Sequence, residues 1–299
     1  TKTAAIGLHV WLPGGETRAA IVALHGFNDY GNAFALSAPG WAAQGIATYA
    51  YDQRGFGATE RPGIWPGADT LVADAATAVA AVRARHPGVP VALLGESMGG
   101  AVALAGLGGR AGDGRRIEVD GVVLVSAAVW ARQTMPFYQR LPLWIGSNLF
   151  PWVTLTGRGL DIQPSDNIEM LIAFSRDPLV IKETRIDTID GLVELMSLAL
   201  DAAPDLQQPT LILYGDNDEI VPPPPIEELL RRLPPDRHVV AFYPDGYHML
   251  LRDLNGGIPR RDIAAWLTDR PAALPSGADL RGAERRLALA GPATTVGAR

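Results

Sequence analysis

Gly95-Glu96-Ser97-Met98-Gly99 follows the apolar run Val89 to Leu94 and opens an Ala/Gly/Leu run from Gly100 to Leu107. Strand, sharp turn and helix in that order form the setting in which G-x-S-x-G lifts a serine onto a tight turn. The two glycines tolerate the close approach of strand and helix. Ser97 is therefore a candidate nucleophile with its hydroxyl at the N-terminus of the following helix. A Gly-rich turn that merely holds a serine is the plainer alternative, and the flanking strand and helix weigh against it.

Working outward, the neighbouring apolar runs are Ala19 to Leu24, Ile46 to Tyr51, Val91 to Leu94, Gly121 to Val125, Thr210 to Tyr214 and His238 to Tyr243. They are continuous rather than alternating, which suits strands buried on both faces of a parallel sheet. Ile6 to Leu12 alternates with period two, as a half-exposed edge strand does. Helical patterns fall between the runs, at Phe34 to Gln44, Asp69 to Arg85, Met98 to Leu107, Ile226 to Leu233 and Arg260 to Leu267. The rhythm predicts an α/β fold, a mostly parallel open sheet flanked by helices.

The rhythm breaks over 129–203, which is rich in aromatics and holds no convincing strand. It predicts a helical cap inserted between core segments 1–128 and 204–267, its aromatics either an internal packing core or a ligand wall. After Thr268 the chain turns Ala/Pro/Gly/Arg-rich and lacks aromatics, so 268–299 is expected to be a flexible tail.

Composition bounds the chemistry. The chain has 299 residues, 47% of them hydrophobic, enough for a sizeable core. With no cysteine, disulfides, Cys-ligated zinc and a Cys nucleophile are excluded. The net charge is −6 and no dense basic stretch occurs, which argues against a nucleic-acid partner. No apolar run approaches the ~20 residues of a membrane span. The chain opens at Thr1 without an initiator Met, so its native start is expected upstream, and a removed signal or lipid anchor stays open.

A serine hydroxyl needs a base. Of five histidines, only His238 and His248 come late enough for the order nucleophile, acid, base. His238 begins an apolar strand and reads as structural. His248 follows the turn after the last strand, at the carboxyl end of the sheet, and is the candidate base. The acid should lie in Gly215-Asp216-Asn217-Asp218-Glu219-Ile220-Val221-Pro222, another strand-end loop. Asp216, Asp218 and Glu219 compete, and the G-x-x-D-x-x-V spacing favours Asp218, leaving Asp216 to an Asx turn. A tetrahedral intermediate needs two donors. The Met98 N–H is one, and the loop His25-Gly26-Phe27-Asn28-Asp29 offers the Phe27 N–H as the other. His25 is expected to brace that loop, and Asn28 is a weaker side-chain donor.

Two further stretches read as structure. Asp52-Gln53-Arg54-Gly55-Phe56-Gly57 lacks the spacing of a phosphate loop. In Pro222-Pro223-Pro224-Pro225 the last proline is expected to start a helix.

Leu24-His25-Gly26, Tyr51 to Gly57, Gly95 to Gly100, Gly215 to Pro222 and Gly246-Tyr247-His248 together resemble the α/β-hydrolase superfamily. Within it the chain is most similar to the monoacylglycerol lipase and lysophospholipase branch, often grouped with serine aminopeptidases. The resemblance runs from about residue 5 to 267 and is weakest in the insertion. It implies a Ser97–His248–Asp218 triad, a Phe27/Met98 oxyanion hole, a cap that shapes an acyl pocket, no cofactor and no metal. The expected small-molecule substrate is a monoacylglycerol, lysophospholipid or other medium-to-long acyl ester, with transient lipid-surface contact through the cap. The alternatives are an aminopeptidase, with Asp29, Glu169 or Asp187 holding a substrate ammonium, a thioesterase or acyltransferase, or a non-catalytic binding protein.

Overall fold

A computed structural model of the chain describes residues 7–157, 159, 161–234, 236–270 and 273–290. The elements are β1 (Leu8–Trp11), β2 (Ala19–Leu24), α1 (Ala38–Ala42), β3 (Ile46–Tyr51), α2 (Ala68–Arg85), β4 (Val91–Glu96), α3 (Met98–Leu107) and β5 (Gly121–Val125). There follow α4 (Phe137–Leu149), β6 (Thr154–Thr156), α5 (Ile168–Arg176), β7 (Glu183–Arg185) and α6 (Ile186–Ala202). The chain continues through β8 (Thr210–Gly215), α7 (Pro223–Arg232), β9 (His238–Tyr243), α8 (Gly257–Thr268) and α9 (Ala278–Ala290).

Seven strands form one sheet in the order β1-β3-β2-β4-β5-β8-β9. Only β1 is antiparallel to its neighbour, with Leu8 opposite Tyr51. Continuous apolar runs make these strands because both faces are covered. In β2, Ala20, Val22 and Leu24 join the core beneath α2, α3, α6 and α7. Ala19, Ile21 and Ala23 join the opposite core, with Trp41 of α1 and Ile263 and Trp266 of α8. The period-two side-chain alternation of a strand thus feeds two cores from one run. The architecture is the expected parallel, helix-flanked α/β sheet.

Several details differ from the sequence expectation. Phe34 to Gln44 is a 3-10 turn over Gly31–Phe34 and a short α1, with Pro39 in its first turn. Three of the four prolines at 222–225 lie inside α7, which starts at Pro223 rather than Pro225. The first helical turn has no need of its amide hydrogens, so it accepts them.

The segment 129–203 carries α4, α5 and α6 but also a two-stranded antiparallel ladder, β6 with β7, that was not expected. α6 is not perched above the sheet: Val193, Leu195, Met196, Ala199 and Leu200 are part of the main core. The insertion's aromatics divide: Trp130 packs against the main core and Phe174 lines a cavity beneath Arg252. Phe137, Tyr138, Trp144, Phe150 and Trp152 are all exposed.

The expected flexible tail is corrected over its described part. α9 lies against β9, with Leu274 and Ala278 buried beside it. Gly282 comes so close that a Cβ there would sit 2.6 Å from the carbonyl carbon of Val240. The Arg281 Nε–H donates to the Phe242 carbonyl at 3.1 Å. A helix can dock through small residues as well as through aromatics. Residues 271–272 and 291–299 of that expectation lie outside the described residues.

Candidate active site

Ser97 is the single residue between β4 and α3, with φ 52° and ψ −116°, a conformation that costs a non-glycine residue about 1–3 kcal/mol. Its surroundings hold it there. The Ser97 N–H donates to the Val125 carbonyl at 2.9 Å, and the Ser97 carbonyl accepts from Gly100 at 2.9 Å and Ala128 at 2.9 Å. The flanking glycines allow the turn because the chain passes where a side chain would go. A Cβ on Gly99 would lie 2.6 Å from the Leu24 carbonyl carbon, and one on Gly95 would lie 2.5 Å from the Gly100 nitrogen. Met98 is the first residue of α3, so its amide has no acceptor one turn back in the helix.

The loop after β2 lies against this turn. A Cβ on Gly26 would sit 3.4 Å from Ser97 Cβ. His25 is fully buried. Its Nε2 accepts from the Gln53 N–H at 2.9 Å, which leaves Nδ1 to donate to the Gly26 carbonyl at 2.8 Å. Burial lowers its pKa, so it stays a neutral brace of the loop. Phe27 packs edge-on against Phe56, ring centroids 5.6 Å apart. Asn28 has φ 63° and donates its amide to Thr184 Oγ1 at 2.7 Å, so its side chain serves the insertion rather than an oxyanion.

At the far side of the site, the loops after β8 and β9 meet. His248 Nδ1 lies 2.8 Å from Asp218 Oδ2, with both groups buried. The other Asp218 oxygen accepts from the Ile220 and Val221 amides at 2.9 Å each. Asp216 points elsewhere and pairs with Arg285 of α9 at 2.8 Å. Glu219 accepts from the Gln163 amide at 2.9 Å. Of the three competing carboxylates, Asp218 is the one in contact with His248. Its occupied Nδ1 leaves Nε2 as the free ring nitrogen. His238, read as structural, sits at the start of β9, its pKa pushed down to about 4 by burial and by Arg286.

Sequence reasoning missed a buried charge cluster beside Ser97. Arg252, four residues after His248, pairs with Asp29 at 2.7 Å and with Glu96 at 3.3 Å. Burial alone would lower its pKa, but the two carboxylates more than reverse that and raise it. The cluster ties the histidine loop to the residue before Ser97 and to the loop of Phe27. Only the adjacency of Glu96 to Ser97 could have hinted at it. The strap 163–167 of the insertion was also missed. Ser165 Oγ donates to Asp253 at 2.6 Å, and the same carboxylate accepts from the Tyr247 amide at 2.8 Å. Burial pushes the Asp253 pKa up to about 6.

Arg54 of the stretch that superficially suggests a phosphate loop makes a two-pronged pair with Asp74 of α2, at 2.7 and 2.8 Å. Among the described residues, no group of three His, Asp or Glu could hold a metal ion, and no helix is long and apolar enough to cross a membrane.

A family model described as Hydrolase_4, serine aminopeptidase S33, matches residues 15–255. A monoacylglycerol lipase of Mycolicibacterium smegmatis is 26% identical over 261 residues, covering 86% of this chain and 91% of its own. A crystal structure of Paleococcus ferrophilus monoacylglycerol lipase superimposes with a TM-score of 0.71 at 22% identity, over 88% of this chain and 98% of its own. A soluble variant of monoglyceride lipase from Saccharomyces cerevisiae, solved with a substrate analog, gives a TM-score of 0.73 at 19% identity, over 90% and 93%. These structures share the fold.

Proposed function

The chain belongs to the serine aminopeptidase S33 family of α/β hydrolases, and we propose that it is a serine hydrolase of carboxylic esters, of monoacylglycerol lipase type. The observation that carries this reading is the buried His248–Asp218 pair, 2.8 Å apart, at the same carboxyl end of the sheet as the strained Ser97 turn.

Asp218 fixes the proton of His248 on Nδ1, so Nε2 can accept the proton of Ser97 Oγ. The oxygen attacks the ester carbonyl, and the carbonyl oxygen takes the negative charge and rests on the Phe27 and Met98 N–H groups. Collapse of this intermediate expels the alcohol, which takes the proton from Nε2 and leaves an acyl group on Ser97. Water, deprotonated by the same nitrogen, then attacks the acyl carbon, and the acid departs as Ser97 recovers its proton.

The substrate is a monoacylglycerol, lysophospholipid or similar acyl ester. The names of the relatives support this, and so does the exposed apolar surface of α4 and the segment after it. Between residues 137 and 157 the only charged side chain is Arg140, which suits transient contact with a lipid surface. On this reading 129–203 acts as the cap, with α6 as its anchor in the core.

The peptidase alternative needs a carboxylate ready for a substrate ammonium. Asp29 is taken by Arg252 and Asp187 by Arg185. Glu169 lines a cavity of about 470 Å³ between α5 and the loop from Asp29 to Leu36. The test is turnover of p-nitrophenyl esters from acetyl to palmitoyl, of monoacylglycerols and of aminoacyl anilides, by wild type and Ser97→Ala. Ester turnover that Ser97→Ala abolishes is expected, with preference for the longer acyl chains. Anilide turnover in the absence of ester turnover would transfer the site to the peptidase reading.

A further inference from the structure

Besides the His25 brace and the Asp29–Arg252 pair, the loop that carries the Phe27 amide is held at Gly26 and at Asn28. On one side Gly26 lies against the Ser97 turn. On the other, Asn28 is gripped by the insertion: its side-chain amide donates to Thr184 Oγ1 at 2.7 Å, and its carbonyl accepts from the Ile181 N–H at 3.0 Å. Thr184 is buried in the centre of β7, opposite Leu155 of β6. Asn28 itself has φ 63°, a region asparagine tolerates better than most residues but still at a cost. The contact with Thr184 links the loop's strained residue to an element 156 positions away. A strained residue persists where its surroundings over-determine it, and here both of its polar contacts come from the insertion.

We infer that Asn28 and Thr184 are positioning residues: the β6–β7 ladder of the insertion sets the loop whose Phe27 amide completes the oxyanion hole. The cap then does more than shape a pocket, because the hold of Thr184 on Asn28 adds to the contacts of His25 and Asp29 in setting this loop. This inference rests on the serine-hydrolase reading. A loop set wrongly by a fraction of an ångström would leave ester binding intact and weaken the hold on the developing oxyanion, so the loss falls on kcat rather than KM.

The experiment compares wild type, Thr184→Val, Thr184→Ser, Asn28→Gly and the double variant Asn28→Gly/Thr184→Val. Glycine keeps the positive φ while removing the side chain. Turnover of a p-nitrophenyl ester is expressed per active site, titrated with a fluorophosphonate, so lost protein does not count as lost rate. Inhibition by an alkyl boronic acid, whose tetrahedral adduct on Ser97 places an oxygen in the hole, is measured alongside. Thr184→Val and Asn28→Gly should each lower kcat about ten- to hundredfold with KM within about twofold, and weaken the boronate by a similar factor. Thr184→Ser should recover the rate, and the double variant should be no worse than the single ones. Unchanged kcat per active site, a loss confined to KM, or additive losses would overturn the inference alone. A wild type without ester turnover, or an equally active Ser97→Ala, would overturn the serine-hydrolase reading and this inference with it.

Discussion

Replacing Asp218 by asparagine separates the roles of the two aspartates in the loop after β8. One Asp218 oxygen accepts from the Ile220 and Val221 amides, and the other accepts from His248 Nδ1 at 2.8 Å. Asparagine has one acceptor oxygen and one donor nitrogen. If the oxygen stays on the two loop amides, the new NH2 faces Nδ1 and the imidazole must carry its proton on Nε2. That nitrogen can then no longer accept the proton of Ser97. The loop keeps both backbone contacts, so stability should change by no more than about 1 kcal/mol, while kcat should fall about 10⁴-fold, some 5.5 kcal/mol in the barrier. Asp216→Asn breaks only the pair with Arg285, whose side chain is 48% exposed. A surface pair contributes about 0–1 kcal/mol, so stability should fall by at most that and kcat should not move. The assay is kcat on a short p-nitrophenyl ester per titrated active site, with urea unfolding of both variants. The triad geometry is refuted if Asp218→Asn keeps a tenth of the wild-type kcat, or if Asp216→Asn loses as much.

Arg252→Met should lower unfolding free energy by about 3–5 kcal/mol, because Asp29 and Glu96 would remain buried without their counter-charge. A urea-derived loss under 1 kcal/mol would contradict that account of the cluster. Ser97→Gly should abolish turnover yet raise stability by up to about 1 kcal/mol by releasing the positive φ, whereas Ser97→Ala, which keeps its Cβ, should not. Equal unfolding midpoints for the two variants would argue that the turn is unstrained. Folded His238 takes its proton at about pH 4, against an ordinary 6.5 in the unfolded chain. Between those values the unfolded state binds the extra proton, so stability present above pH 6.5 is lost as pH falls towards 4. Allowing for water on the open side of the ring, the loss is about 1 kcal/mol, and His238→Gln should remove it from the pH dependence of the urea midpoint. An unaltered slope in the variant would count against burial as its cause.

The parts of the fold legible in the sequence were those with local signals. Continuous apolar runs marked β2 to β5, β8 and β9 because each feeds a core on both faces. The Gly95 to Gly99 turn was legible because close packing demands glycine on both sides of Ser97. Asp218 was favoured by loop spacing alone, and the structure puts it against His248. What was not legible lacked such a signal. β6 and β7 are three residues each, too short to show a period. α9 docks through Ala278 and Gly282, and its arginine-rich sequence hides that contact. Arg252–Glu96 and Asn28–Thr184 are each 156 residues apart, and nothing in one partner announces the other.

The sheet order explains why the insertion reaches so much of the site. Ser97, Asp218 and His248 follow β4, β8 and β9, whereas β5 lies between β4 and β8 and supplies none of them. The insertion leaves from the carboxyl end of β5, so it departs from the middle of the site rather than its rim. The residue just before it already supports the Ser97 turn, since the Ala128 amide donates to the Ser97 carbonyl. From there 163–167 reaches the histidine loop through Asp253, and 181–184 reaches the Phe27 loop through Asn28. A segment launched from that strand end has His248 on one side and the proposed oxyanion donor on the other. Contact with both is therefore a consequence of topology, and on the proposed function sequence variation in the insertion would reach turnover as well as acyl selectivity.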